Sequence, residues 1–128
     1  MKTKYTVVLS MLAGVAIGVV AVQGLQAQGK PKAYVITELD TLDPAAATAF
    51  TPMAMAAQSS AGGRSLRTAG GKVVSLEGGA APSRVGLTEW DSIEQAQAFY
   101  KSKAWTDLSP QRDKAVKTIR RYVVEALN

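Results

Sequence analysis

Two segments of the chain alternate apolar and polar side chains with a period of two residues, which is typical of β-strands. They cover residues 33–40 and residues 84–90. Successive side chains of a strand point to opposite sides, so each segment has two faces. In the first segment, the mainly apolar face holds Val35, Thr37 and Leu39, and the mixed face holds Tyr34, Ile36, Glu38 and Asp40. The pattern predicts two strands of a sheet that buries one face.

An alanine-rich segment between these strands predicts the first helix. Asp43 offers an N-cap side chain, and Pro44 suits the first helical position. The helix is expected to end at Ala61, before the pair Gly62-Gly63. Pro52 lies inside this segment, lacks an N–H and clashes with the carbonyl four residues earlier. We therefore expect a kink at Pro52 or a helix that starts further downstream.

The C-terminal third of the chain predicts a second helix, a further helical turn and a last strand. Residues 92–95 form a capping box, which marks a helix start. The apolar side chains that follow at helical spacing are Ile93, Ala96, Phe99 and Tyr100. Ser109-Pro110 opens the further turn, through about Lys117, and residues 119–127 predict the strand.

Two short strands, at residues 64–68 and 72–77, are expected on either side of a glycine turn at residues 69–71. The element order is then β-α-β-β-α-β. This order predicts an α+β, ferredoxin-like split fold, an antiparallel sheet with both helices on one face. The other face would leave Tyr34 and Ile36 in contact with water, so we expect a homodimer packed sheet to sheet.

The N-terminal segment has the pattern of an export signal. Lys2 and Lys4 precede residues 5–22, which carry no charge, and Ala27 ends a segment suited to cleavage. The alternative is an uncleaved anchor, since about 18 apolar residues nearly span a bilayer. The expected organisation is a signal peptide or anchor at 1–27, a linker at 28–32 and one domain at 33–128. The protein is then periplasmic or secreted, or anchored in the inner membrane with its domain outside the cytoplasm.

The composition of the 128 residues excludes several kinds of site. The chain has no Cys and no His, which excludes disulfides, thiol nucleophiles, Cys or His metal ligands and a Ser/His triad. No metal and no cofactor is therefore expected. Without Lys2 and Lys4, 13 basic and 10 acidic residues leave a net charge of +3, against +5 for the whole chain. This balance predicts no nucleic-acid partner, and we interpret the cationic cluster as a solvated face. The cluster consists of Lys114, Lys117, Arg120 and Arg121.

Several motifs, taken in order, resemble those of domain-of-unknown-function family 1330 over about residues 34–125. They are Gly62-Gly63-Arg64, residues 70–78, Arg84, Glu89-Trp90 and residues 98–105 with Arg112. The resemblance implies a dimeric α/β barrel of ferredoxin-like subunits and implies no established reaction. The chain would be an exported member. It departs from the usual family residues at Ala47, Phe50, Ala69 and Trp90-Asp91.

Three charged residues are candidates for chemistry. Glu89 is either a catalytic proton shuttle, whose pKa is raised by partial burial beside Val85 and Leu87, or a structural brace paired with an arginine. Glu77 is placed to accept backbone N–H groups or to contact a ligand. Strand parity puts Arg84 and Glu89 on opposite faces, so Arg84 either pairs with Glu77 or binds an anionic ligand.

Tyr34, Tyr100 and Arg112 complete the set of candidate ligand-binding residues, each with packing or a salt bridge as the alternative. The first hypothesis is a homodimer whose cleft between sheet and helices holds a small organic molecule, with Tyr34, Glu89 and Arg112 as polar contacts. A catalytic version would be cofactor-free proton transfer or oxygenation, by analogy with the fold. The alternative is a non-catalytic structural or stress-associated envelope module. Membrane contact is expected only if the N-terminal segment is retained.

Overall fold

The structure is a computed structural model that describes residues 29–68 and 70–127. The predicted signal peptide or anchor at 1–27 lies outside the described residues. The folded unit begins at Pro31. Its elements are β1 (Ala33–Thr41), α1 (Pro44–Ser60), β2 (Arg64–Ser65), β3 (Arg84–Trp90), α2 (Ile93–Lys101), α3 (Lys103–Thr106), α4 (Ser109–Ala115) and β4 (Val116–Glu125).

The four strands form one antiparallel sheet in the order β2-β3-β1-β4. The two central strands are therefore the first and third in sequence, as the β-α-β-β-α-β arrangement requires. The predicted α+β, ferredoxin-like fold with helices on one face is confirmed.

The core lies between the helices and one face of the sheet. Val35 and Trp90 are almost completely buried on that face, and Trp90 packs on Phe99 of α2 with ring centroids 5.1 Å apart. Phe50 of α1 and Trp105 of α3 join the same cluster. We call this side of the sheet the helix face and the other side the helix-free face. Because side chains alternate, every strand residue is assigned to one face by its register.

The first helix begins where the sequence predicts. One carboxylate oxygen of Asp43, Oδ1, accepts hydrogen bonds from the backbone N–H groups of Ala45 and Ala46, at 3.0 and 3.2 Å. The helix continues through Pro52 to Ser60, so the expected downstream start was wrong. The cap and Pro44 define the first turn, and Pro52 follows only after two turns are formed.

Three of the predicted strands differ from those in the structure. Residues 72–77 form no strand, and β2 is only two residues long. Val74 and Leu76 are exposed in this loop, so their β-forming side chains have no sheet to pack on. The last strand begins at Val116, because the preceding helix ends at Ala115 rather than near Lys117.

Within residues 29–68 and 70–127, none of the helices has both the length and the apolar character needed to cross a bilayer.

Candidate functional site

A cavity of about 400 Å³ lies between the helix face of the sheet and α1. Its floor is a row of three residues, since Thr37 is opposite Gly86 of β3 on one side and Arg121 of β4 on the other. Gly86 has no side chain and Thr37 has a short one, while Ala54 is one of the small side chains that α1 places over them. Small residues on both walls leave the space unfilled, and this explains why the cavity forms here.

The cavity is mainly apolar with polar groups at defined points. Leu39, Phe50 and Ala54 contribute apolar surface. The side chain of Gln58 accepts a hydrogen bond from Ser65 Oγ at 2.7 Å, which fixes a polar wall between α1 and β2. An apolar hollow with a few oriented polar groups is the usual form of a small-molecule site.

Arg121 is the buried cation of this site. Its Nε donates a hydrogen bond to Thr37 Oγ1 at 3.1 Å, and its guanidinium carbon lies 4.9 Å from the ring centroids of both Tyr100 and Trp105. Burial lowers the pKa of Arg121, the Tyr100 hydroxyl opposes this shift and nearby Arg112 adds to it. No carboxylate forms an ion pair with Arg121 in the part of the chain that the structure describes.

Tyr100 lies behind the cavity wall. Burial raises the pKa of its phenol, and the positive charge of Arg121 and hydrogen bonds with the side chains of Gln58 and Thr88 partly oppose this shift. The phenol is therefore uncharged at neutral pH. Its hydroxyl connects two residues of the cavity wall, while its ring contacts the Arg121 guanidinium.

Arg112 lies on α4, and its guanidinium contacts the Trp105 ring that Arg121 also contacts. Its guanidinium carbon is 5.1 Å from the Trp105 ring centroid, and its Nη2 donates to Ser109 Oγ at 2.9 Å. Its Nη1 is buried without a hydrogen-bond partner. Arg112 and Arg121 together line a more open hollow beside the first one. The structure thus brings two of the chain's guanidinium groups to one indole.

Glu89 lies on the helix-free face, away from the cavity. Its Oε1 accepts from Lys32 Nζ and from Arg64 Nη2, each at 2.8 Å. These hydrogen bonds, first that of Lys32 and then that of Arg64, lower the pKa of Glu89. The expectation that burial raises this pKa was wrong, because two cations outweigh partial desolvation. The ion pair with Arg64 is the contact expected if Glu89 is a structural brace and not a proton shuttle.

Tyr34 and Glu89 were expected in the cleft between sheet and helices, and this placement was wrong. The two residues are opposite each other in the β1–β3 register, on the helix-free face. Arg84 and Glu89 do lie on opposite faces, as strand parity predicts, and Arg84 lines the cavity. Glu77 is exposed in the loop between β2 and β3. Of the candidate set, the structure brings Arg84, Tyr100 and Arg112 to the helix side.

Arg121 is the main charged residue of the site that sequence reasoning missed, since it was assigned to a solvated face with Arg120. The signal was present in the parity of β4. Two adjacent strand residues point to opposite faces, so Arg120 and Arg121 cannot both be solvated once one face is covered by helices. Val123 shares the parity of Arg121, and it packs against the core.

Acidic side chains do not gather into a group of three that would hold a metal ion anywhere in residues 29–68 and 70–127.

A family profile described as a domain of unknown function (DUF1330) matches residues 32–127, which confirms the resemblance found in the motifs. No curated protein matches the chain significantly. A solved structure of a protein of unknown function from Rhodopseudomonas palustris is 14% identical, with a TM-score of 0.62 over 80% of this chain and 90% of that one.

The methylated form of the Rhodopseudomonas palustris protein gives a TM-score of 0.60 at 14% identity, over 80% of this chain and 88% of that one. HapK from Hahella chejuensis gives 0.48 at 14% identity, over 74% of this chain and 92% of that one. At this identity, the likeness to the Rhodopseudomonas palustris protein establishes the fold and no activity.

Proposed function

We propose that this chain, which belongs to the DUF1330 family of domains of unknown function, is a homodimer that binds a small organic molecule in the cavity between its sheet and α1. The observation that carries the proposal is the 400 Å³ hollow itself, with apolar walls and a few fixed polar groups. Protein interiors are packed closely, and side chains normally fill such a volume. Here Gly86 and small residues of α1 keep it open.

The second part of the proposal is a partner on the helix-free face. Three rows of side chains cross that face: Glu89–Tyr34–Val124, Leu87–Ile36–Tyr122 and Val85–Glu38–Arg120. The middle row is entirely apolar or aromatic, and 47% of Tyr122 is exposed. Rows of this kind favour burial against another protein surface.

The charges around the middle row favour a second copy of this chain as that partner. Glu38 pairs with Arg120 at one end of the face, and Glu89 pairs with Arg64 at the other, each at 2.8 Å. Both signs of charge are thus present at both ends. A two-fold interface places a surface against itself, which such a mixed pattern permits and a face of one sign would oppose.

The two parts of the proposal are compatible, because they use opposite sides of the sheet. The dimer covers the helix-free face, and the cavity lies under α1 on the helix face. Each subunit then carries its own ligand site.

A cavity-filling variant tests the binding proposal. A Cβ atom at Gly86 would have Thr37 Cβ as its nearest neighbour at 3.9 Å, which is ordinary contact, so Gly86→Leu places its side chain in the hollow without a clash at Cβ. The probe is the uncharged dye N-phenyl-1-naphthylamine, whose fluorescence rises in an apolar site. We expect the native protein to bind the dye and Gly86→Leu to lose binding.

The control for this experiment is Ala98→Leu, which adds an apolar side chain at an exposed position of α2. It is expected to bind the dye like the native protein. Equal dye binding by Gly86→Leu, or no binding by the native protein, would contradict the proposal. Native mass spectrometry of the untagged protein reports the oligomer and any retained ligand, and a bare monomer would contradict the dimer.

Export remains part of the proposal, and it is supported by the basic start and uncharged segment of residues 1–22. The intact mass of protein recovered from the exported fraction tests it. Loss of residues 1–27 supports a cleaved signal, and a full-length mass in the membrane fraction supports the anchor. A full-length mass confined to the cytoplasm would contradict both.

A further inference from the structure

We infer that the ligand of this cavity is an organic carboxylate, an apolar body carrying one carboxylate group that pairs with the Arg121 guanidinium. The inference rests on the proposed binding function and names the class of ligand for the same site. Four observations on the described residues support it, concerning hydrogen-bond capacity, orientation, charge and wall chemistry.

The first observation is the unused hydrogen-bond capacity of Arg121. A guanidinium carries five N–H donors. In the described part of the chain Arg121 makes one hydrogen bond, from Nε to Thr37 Oγ1. Neither terminal nitrogen, Nη1 or Nη2, is a fully buried atom without a hydrogen-bond partner. The Arg121 side chain borders the cavity. Four of its five donors therefore have no hydrogen-bond partner among the described residues.

The second observation is that the guanidinium is held in place. The rings of Tyr100 and Trp105 each lie 4.9 Å from its carbon, and Thr37 fixes the Nε end. A planar guanidinium with a fixed Nε presents its remaining donors as a fork, which matches the two oxygens of a carboxylate. Little rotamer entropy is left to lose when the anion binds.

The third observation is the excess of positive charge. Arg67 also lines the cavity, and Arg112 contacts the same Trp105 ring as Arg121. No acidic side chain lines this cavity within residues 29–68 and 70–127. A buried charge without a counter-ion is unfavourable, and a bound anion supplies that counter-ion.

The fourth observation separates an organic carboxylate from a free inorganic anion. Leu39, Phe50 and Ala54 give this cavity much of its apolar surface. These side chains offer no hydrogen bonds to the remaining oxygens of phosphate, but they bury an aromatic or aliphatic group well. The chemistry fits a molecule with one anionic end and one apolar end.

Two probes of the same shape and different charge test the inference. They are 2-naphthoate and its uncharged amide, 2-naphthamide, titrated into the exported protein by isothermal calorimetry. We expect the carboxylate to bind about ten- to a hundredfold more tightly than the amide, the range for one charge-assisted contact. In Arg121→Gln the carboxylate is expected to lose this advantage, while amide binding is unchanged.

Lys114→Gln is the matched control, because it removes one positive charge at an exposed position of α4 that borders neither hollow. It should keep the preference for the carboxylate. If circular dichroism shows that Arg121→Gln is unfolded, Arg121→Lys replaces it. The lysine variant keeps the charge but not the fork, so its preference is expected to fall below that of the native protein and to remain above one.

The outcomes separate the inference from the proposed function. Equal affinity for the two probes, or an unchanged preference in Arg121→Gln or Arg121→Lys, would overturn the carboxylate assignment and leave the binding proposal standing. Displacement of the dye by inorganic phosphate but not by 2-naphthoate would also overturn it. Failure of the native protein to bind the uncharged dye, the naphthoate and the amide would overturn both.

Discussion

Arg120 and Arg121 are neighbours on β4 with opposite surroundings. Arg120 lies on the helix-free face, where its Nη2 donates to Glu38 Oε1 at 2.8 Å, and this hydrogen bond raises its pKa. Arg121 lies on the helix face, where burial lowers its pKa. The charge of Arg120 is matched by Glu38, whereas no carboxylate of residues 29–68 and 70–127 pairs with Arg121, and the inferred ligand would supply one. This difference between two adjacent arginines is the physical basis of the ligand class inferred above.

Glu89→Gln is expected to lower stability in a pH-dependent way. The partners of Glu89 lower its pKa below the ordinary value of 4.5. A lowered carboxylate pKa stabilises the fold above the unfolded value, and this contribution is lost as pH falls through the folded pKa. Lys32 and Arg64 are about half exposed, so each pair contributes about 0.2–1 kcal/mol.

Urea denaturation at pH 7 and at pH 2.5 measures this effect. The native protein and Glu89→Gln should differ by about 0.5–1 kcal/mol at pH 7 and by less at pH 2.5, because protonation of the carboxyl group at low pH removes the contribution of the ion pairs. A difference of the same size at both pH values would show that packing, and not the ion pairs, accounts for the loss.

Gly63 is required by the close approach of Trp90. A Cβ atom at position 63 would lie 2.7 Å from Trp90 Cζ2 and 3.1 Å from Thr88 Cγ2. Trp90 is fully buried and cannot move aside without disturbing Phe99. Gly63→Ala is therefore expected to lower the free energy of unfolding by about 1–3 kcal/mol, the usual range for overpacking.

The control for Gly63→Ala is Gly70→Ala, where a new Cβ atom would have nothing within 4 Å. Its stability should stay within about 0.5 kcal/mol of the native protein. Chemical denaturation of both variants decides the matter, and equal losses at the two positions would mean that chain entropy, not the contact with Trp90, sets the effect.

The first helix depends on its N-cap. Asp43 supplies the only side-chain acceptor recorded for the first turn of α1, where the described residues include no acidic side chain. Asp43→Ala should lower stability by about 1 kcal/mol, while Asp43→Asn, which keeps an oxygen acceptor, should lose less. Thermal unfolding followed by circular dichroism measures both. A larger loss for the asparagine variant would contradict capping as the cause.

Elements that depend on local signals were predictable from the sequence, and those that depend on distant partners were less so. The start of α1 follows from Asp43 and Pro44, and the start of α2 follows from Ser92, whose Oγ accepts from the Gln95 backbone N–H at 3.2 Å. Residues 72–77 have strand-forming side chains but no neighbouring strand in the sheet. Strand propensity measures the fit to a sheet surface, so it predicts nothing reliable where that surface is missing.

The site was less predictable than the fold, because it is made by the register of three strands. The cavity exists because Gly86, Thr37 and Ala54 come together, and these residues are distant in sequence. Alternation groups the residues of one strand by face. It does not show which residue of the next strand lies opposite, and for that reason the row formed by Gly86, Thr37 and Arg121 was not predicted.

At the scale of the whole molecule, the two proposed functions use opposite faces of the sheet. A mutation on the helix-free face should therefore affect dimerisation and leave dye binding unchanged. Tyr122 lies in the apolar middle row of the helix-free face, opposite Ile36. Tyr122→Glu places a charge in the proposed interface, and a two-fold dimer would bury two such charges. We expect a dissociation constant raised at least about a hundredfold, since burying an unpaired charge is strongly unfavourable. Sedimentation velocity measures this, with Ala98→Glu on the exposed side of α2 as control.

The Tyr122→Glu monomer is expected to bind N-phenyl-1-naphthylamine as tightly as the dimer does, because each cavity is built within one subunit under α1. The converse is expected of Gly86→Leu, which should remain a dimer and lose the dye. A Tyr122→Glu protein that stays dimeric would contradict the proposed interface. A Tyr122→Glu monomer that loses the dye would instead show that the partner subunit completes the site, so that ligand binding depends on the dimer.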